Sequence, residues 1–163
     1  MPGNDMVLAL DLSSRVGWAA GRVCEDRPRS GVWVLPGPSD LGRTYAAFEN
    51  ELLDAITVHQ PALLVLEAAI PGGHLQTNHN VAQQQIGLAA MAEAACYRRE
   101  VRLVKTAAST MRKEVIGTGR FPSGQAKKTI MGWLRERGFS FVDDNSADAT
   151  VAWLWAKKEW GRI

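Results

Sequence analysis

Three acidic residues occupy positions in the sequence at which they could serve a metal-dependent reaction. Asp11 follows the apolar run 6–10, Glu67 follows the apolar run 63–66, and Asp148 opens an apolar stretch near the C-terminus. A carboxylate at the end of a buried strand is costly unless a partner compensates its charge. Three such residues from distant parts of the chain indicate a shared divalent cation, which favours oxygen ligands. The pattern predicts metal-dependent phosphodiester chemistry.

The expected arrangement is a pair of metal ions. Two ions roughly 3.5–4 Å apart can activate a water molecule and stabilise the leaving oxygen of an in-line displacement. Asp11 would bridge the ions, and Glu67 and Asp148 would each hold one of them. Mg²⁺ is the expected ion, with Mn²⁺ as a substitute. Taken singly, each acid has a plainer explanation as a turn residue, a strand-end residue or a helix N-terminal charge.

Two residues are candidates for a fourth ligand. Asp144 and Asn145 precede Asp148 by four and three residues, so either shares its helix face if the helix has already begun. An Asn carbonyl can bind a cation but brings no charge. The alternative explanation is that the segment 143–145 forms a turn and a helix cap. At least two of its three residues must have that structural role.

Basic residues are concentrated in one part of the chain. The net charge is only +2, yet the segment from Arg98 to Arg137 is strongly enriched in Lys and Arg. A local basic excess can follow a polyphosphate. Lys127 and Lys128 begin a predicted helix, where one could lie beside the scissile phosphate. Arg112 and Lys113 could contact flanking phosphates and make binding salt-dependent. Solvated helix faces are the alternative.

The hydrophobic periodicity predicts an α/β fold that holds these residues. Alternating and continuous apolar runs predict five strands, at 6–12, 15–22, 31–35, 62–67 and 101–104. Three- and four-residue spacings predict five helices, at 40–58, 76–97, 108–116, 124–138 and 146–160. Asp40 is the expected N-cap of the first helix. The order predicts a mixed five-stranded sheet flanked by helices, in one domain over residues 1–163.

Several classes of protein do not fit the sequence. No apolar run approaches the ~20 residues that a membrane-spanning helix needs, and the N-terminus lacks the pattern of a secretory signal. Cys24 and Cys96 form no Cys-x-x-Cys motif. The expectation is a cytoplasmic protein with reduced thiols and no membrane partner.

Five short motifs resemble one family when they are taken in order. They are Leu8–Arg15 with its Asp11, Val65–Glu67, Ala82–Leu88, Arg112–Gly119 followed by Lys127, and Asn145–Thr150 with its Asp148. Together they resemble the RuvC-like Holliday-junction resolvases of the RNase H-like superfamily, especially compact phage-type members. The resemblance implies an RNase H-like fold and a bacterial or phage-infected host cell.

The resemblance also implies roles for individual residues. Asp11, Glu67 and Asp148 would be metal ligands, and Arg112 and Lys127 would face phosphates. The family's fourth ligand is usually Asp or His. The aligned residue in this chain is Asn145, which leaves Asp144 as the alternative.

Further implications concern partners. Members cut two symmetric strands of a four-way junction, which implies branched DNA as substrate and a homodimer. The long helix 76–97 is then the candidate dimer surface, and Ile70 would be an apolar wedge at the junction centre.

These observations lead to one expected function and two alternatives. The expected function is a metal-dependent, structure-selective DNA endonuclease that resolves four-way or other branched junctions. Asn145 motivates the first alternative, a non-catalytic branched-DNA-binding protein that retains the fold. The second is a phosphate-handling enzyme of the actin and sugar-kinase group, since Asp11-Leu-Ser-Ser resembles its first turn. The chain is too short for that two-lobed architecture.

Overall fold

The computed structural model describes residues 5–68 and 78–161. Within them the strands are β1 (Met6–Asp11), β2 (Arg15–Arg22), β3 (Arg29–Val34), β4 (Leu63–Glu67) and β5 (Arg102–Thr106). The helices are α1 (Leu41–His59), α2 (His79–Arg98), α3 (Ala108–Ile116), α4 (Ala126–Glu136) and α5 (Asp144–Trp160). The predicted set of ten elements is confirmed in type and order.

The strands form one mixed sheet in the order β3-β2-β1-β4-β5. The first three strands are an antiparallel meander. Strand β4 pairs with β1, and β5 with β4, in parallel. A helix precedes each of these parallel strands, as crossover connections require. The prediction of a mixed five-stranded sheet flanked by helices is confirmed.

The central strands are apolar on both faces because helices cover both sides of the sheet. Leu8 and Leu10 of β1 belong to one core, with residues of α1 and α2. Val7 and Ala9 belong to the other core, with residues of α3, α4 and α5. Successive side chains of a strand alternate between faces, so a strand buried on both sides becomes a continuous apolar run.

The element boundaries differ from prediction by a few residues. Helix α5 begins at Asp144, two residues early, because Asp143 and Ser146 form a capping box that satisfies the first backbone amides. Strand β3 begins at Arg29, since the antiparallel ladder with β2 continues to the Ala20–Arg29 pair. Asp40 caps α1 by accepting from the Arg43 amide, as predicted.

Helix α2 begins at His79. The predicted helix starts at residue 76, and its first two positions lie outside the described residues, as does Ile70. None of the helices in the two described ranges is both long and apolar enough to span a bilayer. Cys24 is exposed and Cys96 is buried, and neither forms a disulfide.

Candidate active site

Strand register brings the first two carboxylates together. In the parallel β1–β4 pair, Leu10 lies opposite Leu66, so the next residues, Asp11 and Glu67, are neighbours at the same sheet edge. Asp11 lies two residues after Ala9, and Glu67 lies two residues after Val65. Both Ala9 and Val65 face the core that is covered by α3, α4 and α5. Alternation therefore places both acids on the face covered by α5.

Helix α5 brings the third carboxylate to this edge. Gly17 of β2 pairs with Asp11, and the backbone of Asn145 at the start of α5 lies directly against Gly17. Arg15 fixes the helix start by donating through Nε to the N-cap carboxylate of Asp143, at 3.0 Å. Asp148 follows one turn further along the helix.

The result is one pocket lined by three carboxylates from distant parts of the chain. Asp11, Glu67 and Asp148 line it together with Arg112 and the apolar side chains of Leu10, Ala108, Met111, Val151 and Ala152. Burial is the main reason that the pKa of Asp11 is raised to about 8, and the negative charges of Asp148 and Glu67 contribute to this rise. Arg112 opposes these effects. A negative charge on Asp11 is therefore unfavourable in this pocket unless a further cation compensates it.

Two cationic side chains pair with acids at this site. Arg112 Nη2 lies 3.1 Å from Asp148 Oδ1. Burial raises the pKa of Asp148, while the charge of Arg112 and its hydrogen bond lower it. Lys127 forms an ion pair with Asp144, and the hydrogen bond with Asp144 raises the pKa of Lys127. Each cation is thus held by an acid that the sequence predicted as a metal ligand.

The two candidates for the fourth ligand have different environments. The negative charge of Asp144 raises the pKa of both Asp11 and Asp148. The side chain of Asn145 is instead a hydrogen-bond partner of Asp143. Asp144 therefore belongs electrostatically to the carboxylate cluster, and the Asn145 amide is engaged at the helix cap.

The carboxylates fit a hard divalent cation in their chemistry. Asp11, Glu67 and Asp148 line the pocket, and the charge of Asp144 acts on two of them. Oxygen donors of this kind are what Mg²⁺ and Mn²⁺ prefer. Their present spacing is wider than that of a formed metal site. Within residues 5–68 and 78–161, no three His, Cys, Asp or Glu side chains are gathered closely enough to hold one ion. Asp148 and Asp144 are engaged by Arg112 and Lys127.

The other predicted DNA-contacting residues lie on the helices around the pocket. Lys113 is exposed on α3, next in sequence to Arg112. Lys127 and Lys128 are exposed in the first turn of α4. Ile70 lies outside the described residues.

Two residues that matter for the site were not identified from the sequence. Gly17 lets α5 approach the sheet, and an isolated glycine within a strand pattern is a recognised signal of close approach. Gln84 is buried in α2 and hydrogen-bonds with Ser14, Nε2 to Oγ 3.1 Å, in the turn after Asp11. A polar residue on the apolar stripe of a helix was the available signal for Gln84.

Comparisons with solved structures identify the fold. RuvC of Thermus thermophilus superposes with a TM-score of 0.69 at 13% identity, covering 96% of each chain. The same protein in complex with a Holliday-junction substrate gives 0.73 at 12% identity, covering 96% of this chain and 94% of that one. The yeast mitochondrial Holliday-junction resolvase Ydc2 gives 0.58 at 13% identity, covering 96% and 82%.

The resemblance to RuvC-like resolvases is therefore confirmed at the level of the fold, which is RNase H-like as predicted. No protein-family model and no curated protein sequence matches the chain.

Proposed function

We propose that this protein is a metal-dependent, structure-selective endonuclease that resolves four-way or other branched DNA junctions by phosphodiester hydrolysis. The observation that supports this most directly is the pocket lined by Asp11, Glu67 and Asp148. The acids come from two parallel strands and a helix that meet at one edge of a RuvC-like sheet. A RuvC with this fold is known in complex with a Holliday junction.

Four carboxylates would hold the divalent ions. Asp11, Glu67, Asp148 and Asp144 would be their ligands, with Mg²⁺ as the expected ion and Mn²⁺ as a substitute. Two such ions would supply an activated water and would stabilise the leaving oxygen. We assign Asn145 to the helix cap rather than to the ligand set, because its amide engages Asp143.

The cations around the pocket would position the DNA. Lys127 lies beside Asp144, where its ammonium would balance the charge that develops on the scissile phosphate. Arg112 lines the pocket, and Lys113 and Lys128 are exposed next in sequence to Arg112 and Lys127. These three residues would contact flanking phosphates. Phosphate contacts give affinity and register but little sequence discrimination, which suits an enzyme that recognises a branched shape.

A four-way junction has two strands to cut, so the proposal includes a homodimer. Helix α2 carries an exposed face with two large apolar side chains, Ile86 at 68% exposure and Tyr97 at 88%. These residues lie on the side of α2 away from Leu88 and Ala92, which are buried in the core formed with α1 and the sheet. We propose that this face joins two protomers, and that Ile70 acts as an apolar wedge at the junction centre.

The decisive experiment compares two end-labelled substrates, a four-way junction and a linear duplex of the same sequence. We expect symmetric nicks in the junction with Mg²⁺ or Mn²⁺, none with EDTA, and little cutting of the duplex. Asp11→Asn and Glu67→Gln should lose cleavage and keep junction binding. Asp54→Asn, the same change at an exposed site on α1, is the matched control. Equal cleavage by wild type and Asp11→Asn would contradict the proposal.

The non-catalytic alternative rests on Asn145, which stands where the family usually has an acid. It predicts tight junction binding without nicking under any divalent ion. Metal-dependent nicking that Glu67→Gln abolishes would reject it. The negative charge that Asp144 contributes to the cluster favours the enzyme.

A further inference from the structure

Arg112 projects from α3 into the carboxylate pocket. Its Nη2 is 3.1 Å from Asp148 Oδ1, and only about a fifth of either side chain is exposed, 22% for Arg112 and 20% for Asp148. Asp11 and Glu67 line the same pocket. The guanidinium is therefore among the carboxylates, where it neutralises part of their charge, rather than on the outer surface of α3 towards solvent.

The helix that carries Arg112 is anchored independently of this ion pair. Glu114 accepts a hydrogen bond from Trp155 Nε1 at 3.1 Å, and its carbonyl oxygen accepts one from Lys158 Nζ at 2.7 Å. Both donors are on α5. Helix α3 would thus stay in place if the Arg112–Asp148 pair opened, and rotation of the long Arg112 side chain alone would release the carboxylate.

A guanidinium and a divalent ion compete for the same carboxylate. Arg112 donates to Asp148 Oδ1, and a divalent ion bound to Asp148 would repel the nearby positive charge. A guanidinium released from a carboxylate keeps its donors, and the planar fork of Arg matches a phosphate as well as it matches a carboxylate. The DNA backbone is the anion that the proposed function brings to this edge.

We propose that Arg112 is a positioning residue that exchanges between Asp148 and a DNA phosphate, and that a divalent ion at Asp148 drives the exchange. This inference rests on the proposed metal-dependent nuclease function. Arg112 holds Asp148 while the protein carries no metal ion. Once the ion takes Asp148, the guanidinium turns to the DNA. Metal and junction then strengthen each other's binding, because a coupling free energy acts equally in both directions.

The first test follows the guanidinium itself by NMR in ¹⁵N-labelled protein. The Arg112 Nε–H signal is assigned by its loss in Arg112→Lys. We expect saturation with Mg²⁺ to shift this signal and to speed its exchange with water, and Asp148→Asn to produce a similar change without Mg²⁺. An Arg112 signal unaffected by saturating Mg²⁺ would overturn the exchange. The proposed nuclease function would still stand in that case if the same preparation cleaves junctions.

The second test measures Mn²⁺ affinity by calorimetry without DNA. Arg112→Ala should bind Mn²⁺ more tightly than wild type, by roughly 5-fold or more, the lower end of typical coupling between sites. Arg99→Ala, which removes an exposed arginine after α2 at the opposite end of β5, should match wild type. Equal or weaker Mn²⁺ binding by Arg112→Ala would contradict the competition. Failure of wild type to bind Mn²⁺ or to cleave would overturn the proposed function as well.

The third test measures the coupling by fluorescence anisotropy of a labelled four-way junction, with and without Ca²⁺ under conditions checked for absence of cleavage. Wild type should gain junction affinity with Ca²⁺, and Arg112→Ala should lose most of this gain. An equal Ca²⁺-dependent gain in both proteins would show that Arg112 takes no part in the coupling.

Discussion

Gly17 is in direct contact with the backbone of Asn145: a Cβ added at Gly17 would lie 2.0 Å from the Asn145 carbonyl oxygen. No side-chain rotation can relieve a clash with backbone. The start of α5 can thus approach β2 only because residue 17 is glycine. Since Gly17 pairs with Asp11, this contact determines how close Asp148 comes to Asp11.

Gly17→Ala should therefore damage both stability and the site. We expect a loss of at least ~2 kcal/mol of unfolding free energy, as for other overpacked core positions, and a large fall in junction cleavage. Gly132→Ala in α4 is the control, because nothing lies within 4 Å of its added Cβ. It should raise stability by ~0.5–1 kcal/mol. Chemical denaturation of both variants checks the pair, and a Gly17→Ala protein as stable as wild type would refute the contact.

The raised pKa of Asp11 predicts how stability depends on pH when metal is removed. The folded protein keeps the Asp11 proton up to about pH 8, whereas an ordinary Asp loses it near 3.8. The folded state thus binds more protons between these values, and its stability falls as the pH rises from about 4 towards 8. Asp11→Asn removes this charge and should flatten the fall.

At pH 8 in EDTA, Asp11→Asn should be more stable than wild type by ~2 kcal/mol, which corresponds to roughly 4–8 °C in Tm. The advantage should shrink as the pH is lowered to 5. Thermal melts across this range test the prediction, with Asp54→Asn as the control. Parallel pH profiles for wild type and Asp11→Asn would contradict it. Added Mg²⁺ should raise the Tm of wild type more than that of Asp11→Asn.

The sequence predicts the positions of Asp11 and Glu67 well because local rules decide them. Each ends an apolar run, and a helical crossover makes the two strands parallel, so both acids reach one edge. The capping acid of α5 was harder to identify. Asp143, Asp144 and Asn145 are adjacent in the sequence, and each could cap the helix. Only the capping box formed by Asp143 determines that Asp144 lies with the carboxylates of the site.

The contacts of Arg112 could not be predicted from the sequence. Its partner Asp148 is 36 residues away, and their meeting depends on how α3 docks on α5. Periodicity shows which face of a helix is buried, but not which residue of another helix it contacts. The Gln84–Ser14 hydrogen bond spans 70 residues and escapes prediction for the same reason.

The Gln84–Ser14 pair should support the turn that follows Asp11. Gln84→Met keeps the volume and removes the hydrogen bond, and Ser14→Ala removes its partner. A double-mutant cycle should give a coupling of ~1 kcal/mol in unfolding free energy. Thr57→Ala, which removes an exposed hydroxyl bonded within α1, should cost little. Additive effects of the Gln84 and Ser14 changes would show that the two residues do not interact.

The proposed dimer predicts a change of mass on substitution of one exposed residue. Wild type should elute with twice the 17.8 kDa of the chain. Ile86→Glu should shift the protein to monomer, because a charge buried at an interface is costly. Val58→Glu alters an equally exposed apolar residue on α1, at 72% exposure, and should stay dimeric. Light scattering after size exclusion measures both, and a dimeric Ile86→Glu would exclude this face.

Lys127 and Lys128 are adjacent in sequence but should behave differently. Lys127 pairs with Asp144 beside the pocket, so Lys127→Ala should slow single-turnover cleavage by roughly 10²-fold, as for loss of one charge-stabilising donor. Lys128→Ala should weaken junction binding and reduce its salt dependence while keeping the rate at saturation. A Lys127→Ala enzyme with the wild-type saturated rate would remove Lys127 from the chemistry.

Asp11 and Glu67 share a face because of their positions within β1 and β4. Insertion or deletion of one residue inside either strand would turn the acid to the side of α1 and α2 and bring an apolar neighbour into its place. Homologous chains should therefore keep the length of these two strands unchanged. Variation in length should be confined to connections such as 35–40 and 117–125, where an added residue shifts no carboxylate.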